Sequence, residues 1–96
     1  MNIANNTILI TGGATGIEFA LAEQFLAANN NVIVCGRRAE ALQAAKEKLP
    51  RLQIRVAYLS RADERQSLAQ WTIENFPNFN ILVNNAGIEL KPAFYA

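Results

Sequence analysis

Three glycines, Gly12, Gly13 and Gly16, fall in "TGGATGI" (11–17), directly after the β-branched run "TILIT" (7–11) and directly before a segment with helical apolar spacing. Gly12 lets a chain turn sharply off a strand, and Gly16 lets backbone N–H groups come close to an anion. A helix that starts near Gly16 directs the positive end of its dipole at the same place, so the chemistry indicated is the holding of a pyrophosphate. Glycines that merely make a turn are the simpler alternative; the strand-to-helix context favours the anion. Thr11 and Thr15 carry hydroxyls placed for backbone capping, the default, or for a phosphate contact.

Composition removes other chemistries. The chain has 96 residues, 51% hydrophobic and 18% charged, with a net charge of +1 and no histidine. Such a composition describes an ordinary globular domain with a modest core. Cys35 is the one cysteine, which rules out an internal disulfide and, with no histidine, a Cys/His metal centre or a histidine base. No Lys/Arg run suggests nucleic acid or an anionic membrane surface, and the polar start "MNIANN" reads as neither a signal peptide nor a membrane span. A reducing, cytoplasmic setting is the expectation.

The elements that must position the glycine loop follow from apolar periodicity. Strands are predicted at 7–11, 32–35, 52–59 and 79–84, and helices near 16–29, 38–49 and 62–76. "VIVC" (32–35) is apolar without alternation, as strands buried on both faces are. The inward residues predicted for the first helix are Ile17, Ala20, Leu21, Phe25 and Ala28; for the second, Ala41, Leu42, Ala45 and Leu49; for the third, Leu68, Trp71, Thr72 and Phe76. Strand–helix alternation specifies a parallel sheet with right-handed crossovers, here four strands in the order 3-2-1-4. No linker or repeat interrupts it, so residues 1–96 read as a single domain.

"TGGATGI" after the first strand, "CGRR" (35–38) after the second and "NNAG" (84–87) after the fourth together resemble the cofactor-binding half of a short-chain dehydrogenase/reductase, a Rossmann-type α/β fold. The resemblance runs from about Asn6 to Ile88. It implies that Gly12, Gly13, Thr15, Gly16 and Ile17 form the cofactor loop. Asn84 would steady the sheet while the backbone of Asn85, Ala86 and Gly87 borders the dinucleotide. After the second strand, NAD-preferring members carry an acid for the ribose; Arg37 stands there instead. Its guanidinium offers donors to a 2′-phosphate, which implies NADP over NAD, although a solvated arginine at a helix start explains it equally well. Arg38 reads as surface.

Two departures bear on whether the site binds. Glu18 occupies the family's third glycine position, where it would repel a pyrophosphate by roughly 1–4 kcal/mol depending on the effective dielectric. It would also interact with the helix dipole in place of an anion, by about 0.3–1 kcal/mol. Tyr58 and Leu59 stand where the family commonly has an Asp-Val pair touching adenine, so the phenol either fills the adenine slot or is a strand-end aromatic. The family's catalytic Tyr-x-x-x-Lys is not in these 96 residues: Ala62 follows Tyr58 by four, and Lys91 precedes Tyr95.

Three classes of function remain open. The chain is the truncated dinucleotide-binding half of an oxidoreductase, with NADP weakly held or lost and neither catalytic nor metal-binding residues of its own. Alternatively it is a non-catalytic module, evolved or engineered, that kept only the fold. Or it is a unit that self-associates, because "FNILVN" (79–84) has neither charge nor proline to protect an exposed edge. That last reading predicts a homodimer through strand 79–84, unless the tail 88–96 covers the edge within one chain.

Overall fold

The computed structural model describes residues 4–12, 16–84 and 87–90, the last four as backbone. In chain order the elements are β1 (Thr7–Thr11), α1 (Gly16–Ala27), β2 (Asn31–Gly36), α2 (Ala39–Lys48), β3 (Gln53–Val56), α3 (Ala62–Asn75), β4 (Phe79–Asn84) and β5 (Gly87–Leu90). The sheet runs β3-β2-β1-β4-β5. Its first four strands are parallel, in the predicted order.

β5 is the departure. It pairs antiparallel with β4, Ile81 opposite Leu90 and Asn84 opposite Gly87. Only two residues separate these strands in the sequence, too few for a parallel crossover, so the chain can return only as an antiparallel neighbour. β4 therefore lies between β1 and β5, and the exposed edge expected at 79–84 is taken. The homodimer expected through that strand has lost the free edge it was argued from; residues 87–90 take that edge within the chain, while 91–96, the rest of the tail expected to cover it, lie outside the described residues. Among the described residues, β3 and β5 are the outer strands of the sheet.

β1 and β2 are buried on both faces because helices lie on both sides of the sheet. Side chains alternate across a strand. Accordingly Ile8, Ile10, Val32 and Val34 join Ala22, Leu26, Leu42 and Ala45 under α1 and α2, while Leu9, Ile33 and Cys35 meet Leu68 on the opposite side, under α3. On α1 the predicted Leu21 and Phe25 do pack against this core, but the most buried residues are ones the prediction omitted. Ala20 is exposed and Ala22 and Leu26 are buried, because α1 packs on strand residues whose positions its own periodicity cannot supply. α2 and α3 match: Leu42, Ala45, Leu68 and Thr72 are buried, and the Trp71 and Phe76 rings meet edge-on at 5.6 Å.

Asparagines organise the N-terminal end of the sheet. α1 stops at Ala27 rather than at 29 because Asn29 adopts φ 65°. The Asn30 N–H then donates to Phe25 O at 3.1 Å and the Asn29 N–H to Leu26 O at 3.0 Å, the paired bonds that close a helix on a left-handed residue. Asn30 Oδ1 accepts the buried Asn6 N–H at 3.0 Å, and Asn30 Nδ2 donates to Phe25 O. Between β1 and β4 the register slips past Asn80; there Asn80 Oδ1 accepts the Thr7 N–H at 3.0 Å, and Asn80 Nδ2 donates to Asn6 Oδ1 at 2.9 Å. The side chain thus supplies the acceptor that the bulged backbone withholds. No local pattern in the sequence marks this network.

β3 is shorter than the predicted 52–59. Its ladder with β2 ends at Gly36 opposite Val56, one further bond joins the Ala57 N–H to Gly36 O, and the Arg61 N–H then closes a turn on Tyr58 O. Burial pushes the Cys35 thiol from its ordinary 9.0 up to about 12, against the opposing pull of the Arg55 charge.

Two measurements check this account. Asn30→Ala removes the side-chain acceptor of the buried Asn6 N–H and should lower stability by about 1–3 kcal/mol, whereas Asn29→Gly, at a left-handed position, should be neutral or stabilising by up to about 1 kcal/mol; urea unfolding compares them. The Cys35 thiol should resist a thiol reagent until the chain unfolds. Because the unfolded chain releases its proton near 9.0 and the folded chain keeps it to about 12, stability should fall as pH rises through that window. The contribution is up to about 1.4 kcal/mol per pH unit, and Cys35→Ala should remove that part of the slope above about pH 9.

Candidate functional site

The C-terminal ends of β1, β2 and β3 surround a cleft of ≈ 320 Å³ lined by Thr11, Gly12, Gly36, Arg37, Ala57, Leu59 and Ser60. Three separate stretches of sequence meet here because parallel strands end on the same side of their sheet. A crevice beyond the carboxyl ends of such strands is where open α/β sheets bind ligands.

Gly12 leaves β1 with φ 119°, a value unsuited to an L side chain. Its N–H still donates to Cys35 O at 3.2 Å, so the turn begins while the chain is tied to β2. Gly16 starts α1 at φ 53°, and a Cβ built on it meets no atom within 4 Å. The backbone there, and no packing contact, requires glycine, and the space a side chain would take is open. These features fit a dinucleotide: glycines at the turn and at the helix start, and unfilled space where an anion would approach N–H groups.

Glu18 stands in the first turn of α1 and is half-buried, as the sequence places it. Thr11 behaves differently from expectation. Its Oγ1 donates to Val83 O at 3.4 Å, so the hydroxyl joins β1 to β4 and caps no helix. Gly13, Thr15, Asn85 and Ala86 lie outside the described residues, as does the side chain of Ile17. Gly87 opens β5 opposite Asn84.

Arg37 is exposed and is the one charged side chain among the described residues that line the cleft. Arg38, also exposed, is the N-cap residue of α2 and makes no side-chain cap bond. The cleft thus has a cation at its rim and no described carboxylate in its lining.

Tyr58 corrects the idea of a self-filled slot. It is 46% exposed and does not line the cleft, because the turn after β3 carries its side chain outward. Its N–H donates to Glu64 Oε1 at 3.0 Å, a reach-back from the first turn of α3 that holds the turn against the helix. Ala57, Leu59 and Ser60 form the wall instead. Sequence reading treated 57–59 as strand and passed over Ser60; the polar run "SRADER" (60–65) was the available signal that the strand had ended.

Among the described residues no helix is long and apolar enough to cross a membrane.

Comparison with known proteins agrees with this geometry. The family model of the short chain dehydrogenases matches residues 6–95. Over 94 residues the chain is 43% identical to the uncharacterized oxidoreductase DltE of Bacillus subtilis strain 168, covering 98% of this chain and 37% of that protein. It is 36% identical to the 3alpha-hydroxysteroid dehydrogenase of Mediterraneibacter gnavus over 101 residues, 99% of this chain and 40% of that one. Among solved structures, the Pseudomonas aeruginosa RhlG/NADP active-site complex superposes with a TM-score of 0.77 at 35% identity, over 85% of this chain and 34% of that one. The chain therefore spans two-fifths or less of the length of these relatives. Glycine turn, parallel order and a match over nearly all its residues make this chain a member of the short-chain dehydrogenase/reductase family.

Proposed function

We propose that the chain is the dinucleotide-binding part of an NADP-dependent oxidoreductase, with the pyrophosphate at the start of α1 and the adenosine half in the cleft beyond β1, β2 and β3. The observation that carries this reading is Arg37, the cation at the rim of a cleft with no described acid in its lining. A ribose bearing a free 2′-hydroxyl is held by an acceptor; one bearing a 2′-phosphate is held by donors with positive charge. The relative RhlG, solved with NADP, is consistent with that choice. Gly12, Gly13, Thr15, Gly16, Ile17, Asn85, Ala86 and Gly87 complete the proposed contact set, by their correspondence to the family's loops.

Binding is weakened in this reading by Glu18, whose carboxylate occupies the helix start that a pyrophosphate would use. The earlier second cause, a phenol in the adenine slot, falls away because Tyr58 faces outward. We assign to these 96 residues binding and orientation of the cofactor, which supplies the hydride when bound. Without Tyr-x-x-x-Lys they hold no positioned phenol to pass a proton to a carbonyl oxygen, so turnover by this chain alone is not expected.

Calorimetric titration with NADPH and NADH tests the assignment. Glu18→Gly should tighten NADPH by at least about fivefold, the low end of the repulsion estimate. Arg37→Ala should weaken NADPH by about tenfold or more, the loss of one charge-assisted hydrogen bond, and leave NADH nearly unchanged. Equal losses for both nucleotides would refute the role given to Arg37, and no gain from Glu18→Gly would refute the role given to the carboxylate.

A further inference from the structure

One wall of the cleft begins where the β2–β3 ladder stops. The Ala57 N–H donates to Gly36 O at 2.9 Å, and Leu59 and Ser60, which line the cleft, follow it. This segment is held by the start of α3. The Arg61 N–H donates to Tyr58 O at 3.1 Å, Glu64 Oε1 accepts the Tyr58 N–H at 3.0 Å, and Arg65 Nη1 donates to Leu59 O at 2.7 Å. The other two charges of 58–65, Arg61 and Asp63, pair with each other at 3.0 Å.

Each of these backbone bonds orients a whole peptide plane, because the N–H and C=O of a planar trans peptide point in opposite directions. Glu64 fixes the plane between Ala57 and Tyr58, the Arg61 N–H fixes the next, and Arg65 fixes the one between Leu59 and Ser60. A carboxylate only accepts and a guanidinium only donates. The pair therefore holds its two planes in one sense and rejects the flipped form, in which a carbonyl would face Glu64 and an N–H would face Arg65. From this arrangement we infer that Glu64 and Arg65 are positioning residues for the nucleotide: acting through the backbone of 57–60, they set which polar groups the cleft wall presents to it. The inference rests on the preceding reading, that the cofactor occupies this cleft. A wall ordered before binding leaves less conformational entropy for the ligand to remove.

The test is calorimetric titration of NADPH and NADH in the Glu18→Gly background, which brings both into a measurable range. Glu64→Gln keeps an acceptor for the Tyr58 N–H and should bind both nucleotides within about twofold of the parent. Glu64→Ala removes the acceptor and should weaken both by about threefold to tenfold, the loss of one hydrogen bond. The sign is diagnostic, because removing a negative charge near an anionic ligand would by itself tighten binding. A bond that only stabilised the fold would move the urea midpoint and leave the dissociation constant of the folded chain unchanged. Arg65→Met should weaken both nucleotides similarly, and the double variant by less than the product of the two, since both side chains hold one turn; circular dichroism confirms that each variant folds. Unchanged or tighter binding in Glu64→Ala, or equal weakening in Glu64→Gln, overturns the inference while leaving intact the NADP assignment, which Arg37→Ala tests. Binding of neither nucleotide to Glu18→Gly overturns the cofactor reading and this inference with it.

Discussion

The burial of β1 is the constraint on which the rest depends. Ile8, Leu9 and Ile10 are each 1% exposed or less, with β2 on one edge, β4 on the other and helices on both faces. A strand enclosed in this way has its backbone groups satisfied by its neighbours, and a ligand can approach only its end. The turn at Gly12 is therefore the place where the innermost strand first becomes reachable. The cleft is a consequence: it opens where β1, β2 and β3 end, at Thr11, Gly36 and Val56.

The two ends of the sheet treat polar groups in opposite ways. At the N-terminal end, Asn6, Asn30 and Asn80 bond the backbone and one another, so their hydrogen-bonding capacity is spent inside the fold. At the C-terminal end, Gly12 and Gly16 hold left-handed backbone without side chains, and Arg37 and Ser60 are exposed residues that line an open cleft. A protein can leave donors unpaired only where water or a ligand will pair them, which is why chemistry gathers at one end and structure at the other. β2 makes the change within three residues: Cys35 is a buried thiol held protonated by its surroundings, and Arg37 is a guanidinium at the rim.

Local electrostatics divide in the same place. Glu18, in the first turn of α1, gains from the helix dipole what a bound anion would gain, so the feature that stabilises the ligand-free helix start opposes the ligand. The opposition is confined to the helix start, where Glu18 stands.

Sequence alone determined the strand–helix alternation, the order 3-2-1-4, the glycine loop at the helix start and the arginine after β2, because each is written in adjacent residues: periodicity, β-branching and the freedom of glycine act over a few positions. Legible too were the inward faces of α2 and α3, whose apolar stripes are unambiguous. The tertiary structure alone decided the rest. The face of α1 depended on which strand residues lay beneath it. The asparagine network joins residues as far apart as Asn6 and Asn80, and no local pattern marks such a pairing. Whether the edge of β4 was free turned on a return strand after a two-residue connection. Whether Tyr58 filled the cleft turned on where the β2–β3 ladder ended, since one residue more or less of strand sends a side chain to the opposite side. Each of these is a question of which distant groups meet, and the folded chain, by its packing, is what brings them together.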